Sequence, residues 1–199
     1  MDILLQKLNE NKIEMCAITD HDYFSYDLYS SLKKHEKRIA ILQQKLAKKE
    51  KNSKNYNKIK IKLERAYHRL ANSRKKQAEE IVSKLLKEND YIVAENLQVN
   101  KMITESSSKS LRKNIIHSTF SLILAKLRQK CLWENKRFIQ VSTYFPSSQL
   151  CSFCGHRSKE MKDLKLREYK CSECGNILDR DINASLNILN EGIKMAFGL

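Results

Sequence analysis

The sequence predicts an α/β protein with an inserted helical hairpin and a small cysteine-bound lobe. Three observations carry this. Short apolar runs that read as strands alternate with longer segments whose apolar residues recur at helical spacing. A lysine-rich block between residues 33 and 76 has the two-stripe pattern of paired helices. Four cysteines near the C-terminal end form two matched C-x-x-C pairs. At 199 residues the chain can form one good core with a small appended lobe.

Taken in order, residues 13–20 (IEMCAITD) read as a strand reaching a polar turn at Asp20-His21-Asp22. Tyr23, Phe24, Tyr26 and Tyr29 follow; such a cluster can stack bases, although aromatics beside a core strand more often pack. From Leu32 the pattern is helical. Leu32, Ile39, Leu42 and Leu46 make one stripe, broken by the polar stretch 51–55. A second stripe runs through Ile59, Leu63, Ala66, Leu70, Ile81, Val82, Leu85 and Leu86. Two helices joined by a polar loop form an antiparallel hairpin over about 32–89 with its lysines outward. A free coiled coil fits less well, because the second stripe passes directly into a strand.

That strand is Tyr91-Ile92-Val93-Ala94-Glu95. A carboxylate closing an apolar run is either exposed at the strand's end or held there for a purpose, since burying it unpaired is expensive. Fixed at that point, it can ligate a divalent metal with other acids. Residues 103–110, rich in Ser and Thr, read as a loop. A helix follows through Leu111, Ile115, Ile116, Phe120, Ile123, Leu124, Leu127 and Cys131, and Phe138–Ser142 reads as a strand. His117 and Cys131 are ordinary helix residues with no assigned chemistry.

Cys151, Cys154, Cys171 and Cys174 read C-x2-C-x16-C-x2-C, the spacing of a four-thiolate zinc site. Gly155 and Gly175 each follow a pair at once, which suits a tight knuckle that turns two sulfurs toward one metal. Two disulfides would need an oxidising compartment. The two unrelated cysteines, Cys16 and Cys131, and a start without a signal peptide favour a reducing one, so a cytoplasmic protein is expected, nucleoid-associated if bacterial. A redox role for two matched copies fits less well. After the second pair comes Asp179-Arg180-Asp181-Ile182-Asn183-Ala184-Ser185, opening a helix. At that position Asp181 has a plain structural reading, since a carboxylate there favours the helix dipole and can cap free amides.

Charge points to a polyanion. Of 38 Lys+Arg against 23 Asp+Glu, the stretch from Lys33 to Lys76 holds 17 basic and 3 acidic residues. Lys45, Lys48, Lys49, Lys51, Lys54, Lys58, Lys60 and Lys62 are the candidate phosphate contacts, because neutralising phosphates releases counterions. A solvated helical face is the plainer account of any charge run. There is no apolar run near 18 residues, so no membrane partner is expected.

The string around the second cysteine pair resembles the C-terminal signature of the TnpB (OrfB) transposon-associated family, in which a zinc ribbon precedes a D-R-D-x-N-A-A helix. Tyr144-Phe145-Pro146-Ser147-Ser148-Gln149 is similar to that family's approach to the ribbon, and Ile92–Leu97 with Val99–Met102 is similar to its segment bearing the second catalytic acid. The resemblance covers roughly residues 13–191. It implies an RNase H-like (RuvC) α/β layer with an inserted helical hairpin and a zinc-ribbon lobe. The parts are a nuclease core over 1–145, a ribbon over 146–178 and a closing helix over 179–199. It also implies catalytic, magnesium-binding roles for Glu95 and Asp181, structural zinc at the four cysteines, and DNA and guide RNA as partners.

Two departures bear on activity. The family's first acid, in a G-I-D-x-G strand, falls on Asn9 of Lys7-Leu8-Asn9-Glu10-Asn11; Glu10 would need a register shift, and Asp2 lies too far upstream. The family's guide-gripping N-terminal portion also has no counterpart here, so a separately encoded N-terminal half is an expected partner. The expected function is DNA phosphodiester cleavage by ancestry, impaired in this chain. The alternatives are a non-cutting nucleic-acid-binding regulator or remnant, and a gene fragment with no selected role.

Overall fold

The computed structural model describes residues 15–18, 26–108, 112, 119–163 and 165–198, with the backbone alone for 15–18 and 26–31. The elements are β1 (Met15–Ile18), α1 (Tyr26–Ala47), α2 (Lys54–Glu88), β2 (Tyr91–Glu95), α3 (Val99–Glu105), α4 (Phe120–Trp133), β3 (Arg137–Val141), β4 (Glu168–Lys170), β5 (Ile177–Asp179) and α5 (Arg180–Phe197). A single 3-10 turn, Glu160–Lys162, lies before β4. They divide into two compact units: residues 24–81, and residues 82–199 together with β1.

The first unit is a helical hairpin. Leu32 and Ile39 of α1 are buried in one cluster with Ala66 and Leu70 of α2, flanked by Leu42 and Leu63. Gln43 Nε2 donates to Tyr67 Oη across the pair at 2.7 Å. Ser53 opens α2 as its N-cap, its Oγ accepting from the Tyr56 amide at 3.1 Å, and Asn52 takes the left-handed backbone (φ 64°) that lets the chain reverse. Helix α1 begins at Tyr26, earlier than the apolar stripe from Leu32 indicates.

The second unit is built on a three-stranded, all-parallel sheet in the order β1-β2-β3. In β2, Ile92, Val93 and Ala94 are all fully buried, so both faces of this central strand are covered, as a continuous apolar run requires. Val93 and Val141 pack with Ile188 of α5, joined by Ile139, Phe145 and Leu189. Gly192 allows α5 to come this close: a Cβ there would lie 2.5 Å from Val93 Cγ1 and 3.0 Å from Val93 Cβ. Helix α4 buries Phe120, Ile123, Leu124, Leu127 and Cys131. Lys136 holds the end of α2, donating to the Leu86 carbonyl, to the Asn89 carbonyl at 2.9 Å, and pairing with Asp90 at 3.6 Å. Residues 103–105, expected in a loop, complete the short helix α3, which buries nothing.

Candidate metal centre and active site

The lobe after β3 is assembled from two equivalent turns. In each, the amides of the first cysteine and of the glycine are held by carbonyls within the turn: Cys151 N donates to His156 O at 2.8 Å and Gly155 N to Cys151 O at 2.9 Å. The second turn repeats this with Cys171 N to Asn176 O at 2.9 Å and Gly175 N to Cys171 O at 3.1 Å. Gly155 and Gly175 have φ of 76° and 70°, the left-handed region where glycine carries no steric penalty. The antiparallel pair β4–β5 ties the second turn to the start of α5.

The two turns bring the four sulfurs within 4.8 Å of one another. Cys151 and Cys174 sulfurs are 3.6 Å apart, and those of Cys154 and Cys171 are 3.5 Å apart. A tetrahedral zinc with ~2.3 Å sulfur bonds sets sulfur–sulfur edges of about 3.8 Å, so this donor set fits such an ion. The separations are far from a disulfide's ~2.05 Å, and all four thiols are free. Amides of Cys174 and Glu173 donate to the Cys171 sulfur and bring its thiol down to about 6. The His156 amide also lowers Cys154, but desolvation and the sulfurs of Cys174, Cys171 and Cys151 outweigh it and push that thiol up to about 12. Four thiolates at this spacing repel one another and call for a cation among them.

Beneath the sulfurs, Tyr169 is fully buried with Met161, Cys151 and Cys171. Its hydroxyl donates to His156 O at 3.1 Å and Gln149 O at 3.3 Å, bracing the first turn, while burial and the neighbouring sulfurs push its phenol up to about 12. The start of α5 grips the lobe from the other side. Arg180, 7% exposed, donates from Nη1 to Asp163 O at 2.7 Å and Leu166 O at 3.2 Å. Asn183 Oδ1 accepts from Ser152 N at 2.9 Å and its Nδ2 donates to Leu150 O at 2.7 Å. Asn187 Nδ2 donates to Ser147 O at 2.8 Å and Leu150 O at 2.7 Å.

Glu95 stands at the C-terminal end of β2, half-buried, two residues beyond Val93 and therefore on the same face of the sheet, the face α5 covers. Ser147 Oγ donates to its Oε1 at 2.9 Å. Asp181, also half-buried, lies in the first turn of α5. It precedes Ile188 by seven residues and Gly192 by eleven, so a 3.6-residue period puts all three on one stripe, the stripe that meets Val93. Ser147 and Asn187 fix the sense of α5, whose N-terminal end lies toward the Glu95 end of β2. Both candidate acids are thus carried to one end of the sheet.

The plain reading of Asp181 as the helix cap is corrected here. The cap is Asp179, whose Oδ1 accepts from Asp181 N at 2.8 Å and Ile182 N at 3.2 Å. Helix α5 begins at Arg180, so the residue before it, not Asp181, has the extended backbone a cap needs. Among the described residues the cysteine cluster is the one group of three or more potential ligands. Asp2, Asn9, Glu10, Asp20, Tyr23, Phe24 and His117 lie outside the described residues. All eight candidate lysines are exposed, gathered at the turn end of the hairpin where α1 stops and α2 starts. Cys131 is buried in α4, which pushes its thiol up.

The family described as "Probable transposase" (OrfB_IS605) matches residues 11–106, and that described as "Cas12f1-like, TNB domain" matches residues 120–188. A Streptomyces pristinaespiralis protein named "Putative RNA-guided DNA endonuclease" is 31% identical over 80% of this chain and 40% of its own length. The Escherichia coli "Putative RNA-guided DNA endonuclease InsQ" is 28% identical over 93% of this chain and 48% of its own. TnpB-like protein L79 of Acanthamoeba polyphaga mimivirus is 26% identical over 72% of this chain and 27% of its own. A solved Cas12f1-sgRNA-target DNA complex aligns at TM-score 0.46 and 26% identity, covering 87% of this chain and 43% of that one, too loosely to define the fold. The chain belongs to the TnpB (OrfB) family. It spans less than half the length of these curated relatives. Among the described residues, no helix is long and apolar enough to cross a membrane.

Proposed function

We propose that this chain carries the nuclease portion of a transposon-encoded, RNA-guided DNA endonuclease. In it a RuvC-type carboxylate site formed by Glu95 and Asp181 cleaves DNA phosphodiesters, a zinc ribbon closed by Cys151, Cys154, Cys171 and Cys174 braces that site, and the lysine-rich hairpin grips nucleic acid. The observation that carries the reading is the delivery of Glu95 and Asp181 to one end of a parallel sheet by two elements packed directly together, β2 and α5.

Carboxylate oxygens at that end suit magnesium, which takes hard oxygen ligands and retains several waters. Bound there, divalent cations supply an activated water and stabilisation of the leaving oxygen. The chain's own work is positional. Glu95 is fixed by the strand and by Ser147, and Asp181 by a helix whose first-turn amides are already satisfied by Asp179. Exposed lysines at the hairpin turn supply charge for the phosphate backbone. Asn9, standing where the family's first acid falls, brings an amide oxygen without charge, so cleavage is slow.

The test is magnesium-dependent cleavage of single-stranded and duplex DNA by zinc-loaded protein beside Glu95→Gln and Asp181→Asn. Cleavage lost in both variants is the expected result. Folded protein that binds DNA yet gives no cleavage, or variants that cut equally well, would favour a non-cutting nucleic-acid-binding protein.

A further inference from the structure

We propose that Ser147 is a positioning residue for the Glu95 carboxylate, coupling it to the four-thiol lobe; this rests on the reading of Glu95 and Asp181 as a divalent-cation site. Ser147 is 7% exposed and Asn187 6%. The Ser147 hydroxyl donates to Glu95 Oε1 at 2.9 Å, and its carbonyl accepts from Asn187 Nδ2 at 2.8 Å. Asn187 and Asn183 both hold Leu150 O, and Asn183 also accepts from Ser152 N. Leu150 and Ser152 flank Cys151. A continuous run of hydrogen bonds therefore leads from the carboxylate to the residues on either side of one sulfur ligand.

The turn carrying Ser147 does not need the hydroxyl. Ser147 N donates to Phe145 O at 2.9 Å, and Gln149 N and Leu150 N donate to Pro146 O at 2.9 and 3.2 Å. Those bonds and the Asn187 contact form it from backbone groups on the Ser147 side. The hydroxyl instead reaches a residue 52 positions away in sequence. A glutamate at a strand end has several rotamers, and a buried donor selects one before any cation arrives. The donor takes one lone pair of one carboxylate oxygen, Oε1. Partners of this kind, which orient a ligand without touching the metal, typically change affinity about 10–100-fold when removed.

The experiment titrates the full zinc-loaded chain with Mn2+, reading bound ion from loss of the free-ion EPR signal, for wild type, Ser147→Ala, Ser147→Thr and Glu95→Gln. Zinc content and the melting transition are recorded for each. Ser147→Ala weakens Mn2+ binding about tenfold or more with zinc content unchanged, and Ser147→Thr, which keeps the hydroxyl, restores it. Should Ser147→Ala lose zinc, the isosteric pair Ser147→Thr and Ser147→Val makes the same comparison. Wild-type affinity in the variants lacking the hydroxyl, alongside loss in Glu95→Gln, overturns the role of Ser147 and leaves the cation site standing. Unchanged affinity in Glu95→Gln overturns the cation site, and the role of Ser147 with it.

Discussion

Replacing Gly192 by alanine should separate α5 from the sheet. The added Cβ would lie 2.5 Å from Val93 Cγ1 and 3.0 Å from Val93 Cβ, where carbon atoms settle at about 3.5–4.0 Å. Val93 is fully buried, and β-branching leaves its χ1 little freedom, so the helix has to retreat by about 1 Å. Overpacking of this kind costs about 1–3 kcal/mol. Against it stands the helix preference for alanine over glycine, about 1 kcal/mol. The net expectation is a loss of up to about 2 kcal/mol, measured by urea denaturation of the zinc-loaded protein followed by circular dichroism. Asp181 rides on the same helix, and a misplacement of about 1 Å at a reacting centre can lower a rate about 100-fold. The sign is decisive. If Gly192 were an ordinary helical glycine, alanine would stabilise the protein. Val93→Ala opens room for the methyl, so Gly192→Ala should be neutral or stabilising in that background; an equal effect in both backgrounds would refute the close-approach explanation.

Three other outcomes follow from the structure. Asp179→Ala should lose about 1 kcal/mol with its two capping bonds, measured by chemical denaturation. Cys171→Ser, or a strong chelator, should release one zinc per chain and unfold the lobe around Tyr169, seen as faster amide exchange at Cys151 and Tyr169 while β2 stays protected. Changing the eight hairpin lysines to glutamine should flatten the dependence of log affinity on log salt for single-stranded DNA by up to about 6 units, and a smaller set should flatten it in proportion.

The elements legible in the sequence were those with long or unambiguous patterns. Helix α2 announced itself by a stripe kept over many turns, and β2 by an apolar run bounded by Asp90 and a carboxylate. The cysteine cluster was legible because C-x-x-C-G encodes a local turn, and two such turns need no knowledge of the fold to be paired. Helix α3 was missed because it buries no residue and so shows no periodicity. The cap of α5 was misassigned by two residues: acids flank Arg180 on both sides, and the pattern alone does not say which stands outside the helix.

The polar supports of the site were harder to read. Ser147 lies in a turn that looks like any Ser-rich connection, and its partner Glu95 is distant in sequence. Asn183 and Asn187 carried a signal: amides four residues apart beside Ala184 and Ile188 on a buried helix face have to find partners. Their partners, the carbonyls of Ser147 and Leu150, become evident only once the lobe is folded against α5.

Anomalous scattering from crystals of the zinc-loaded protein soaked in Mn2+ tests the proposed site most directly. A zinc peak among the four cysteine sulfurs and a manganese peak within coordination distance, about 2.0–2.3 Å, of carboxylate oxygens from both Glu95 and Asp181 is the expected result. Manganese bound elsewhere, with neither carboxylate in its coordination sphere, would contradict a nuclease centre at this end of the sheet.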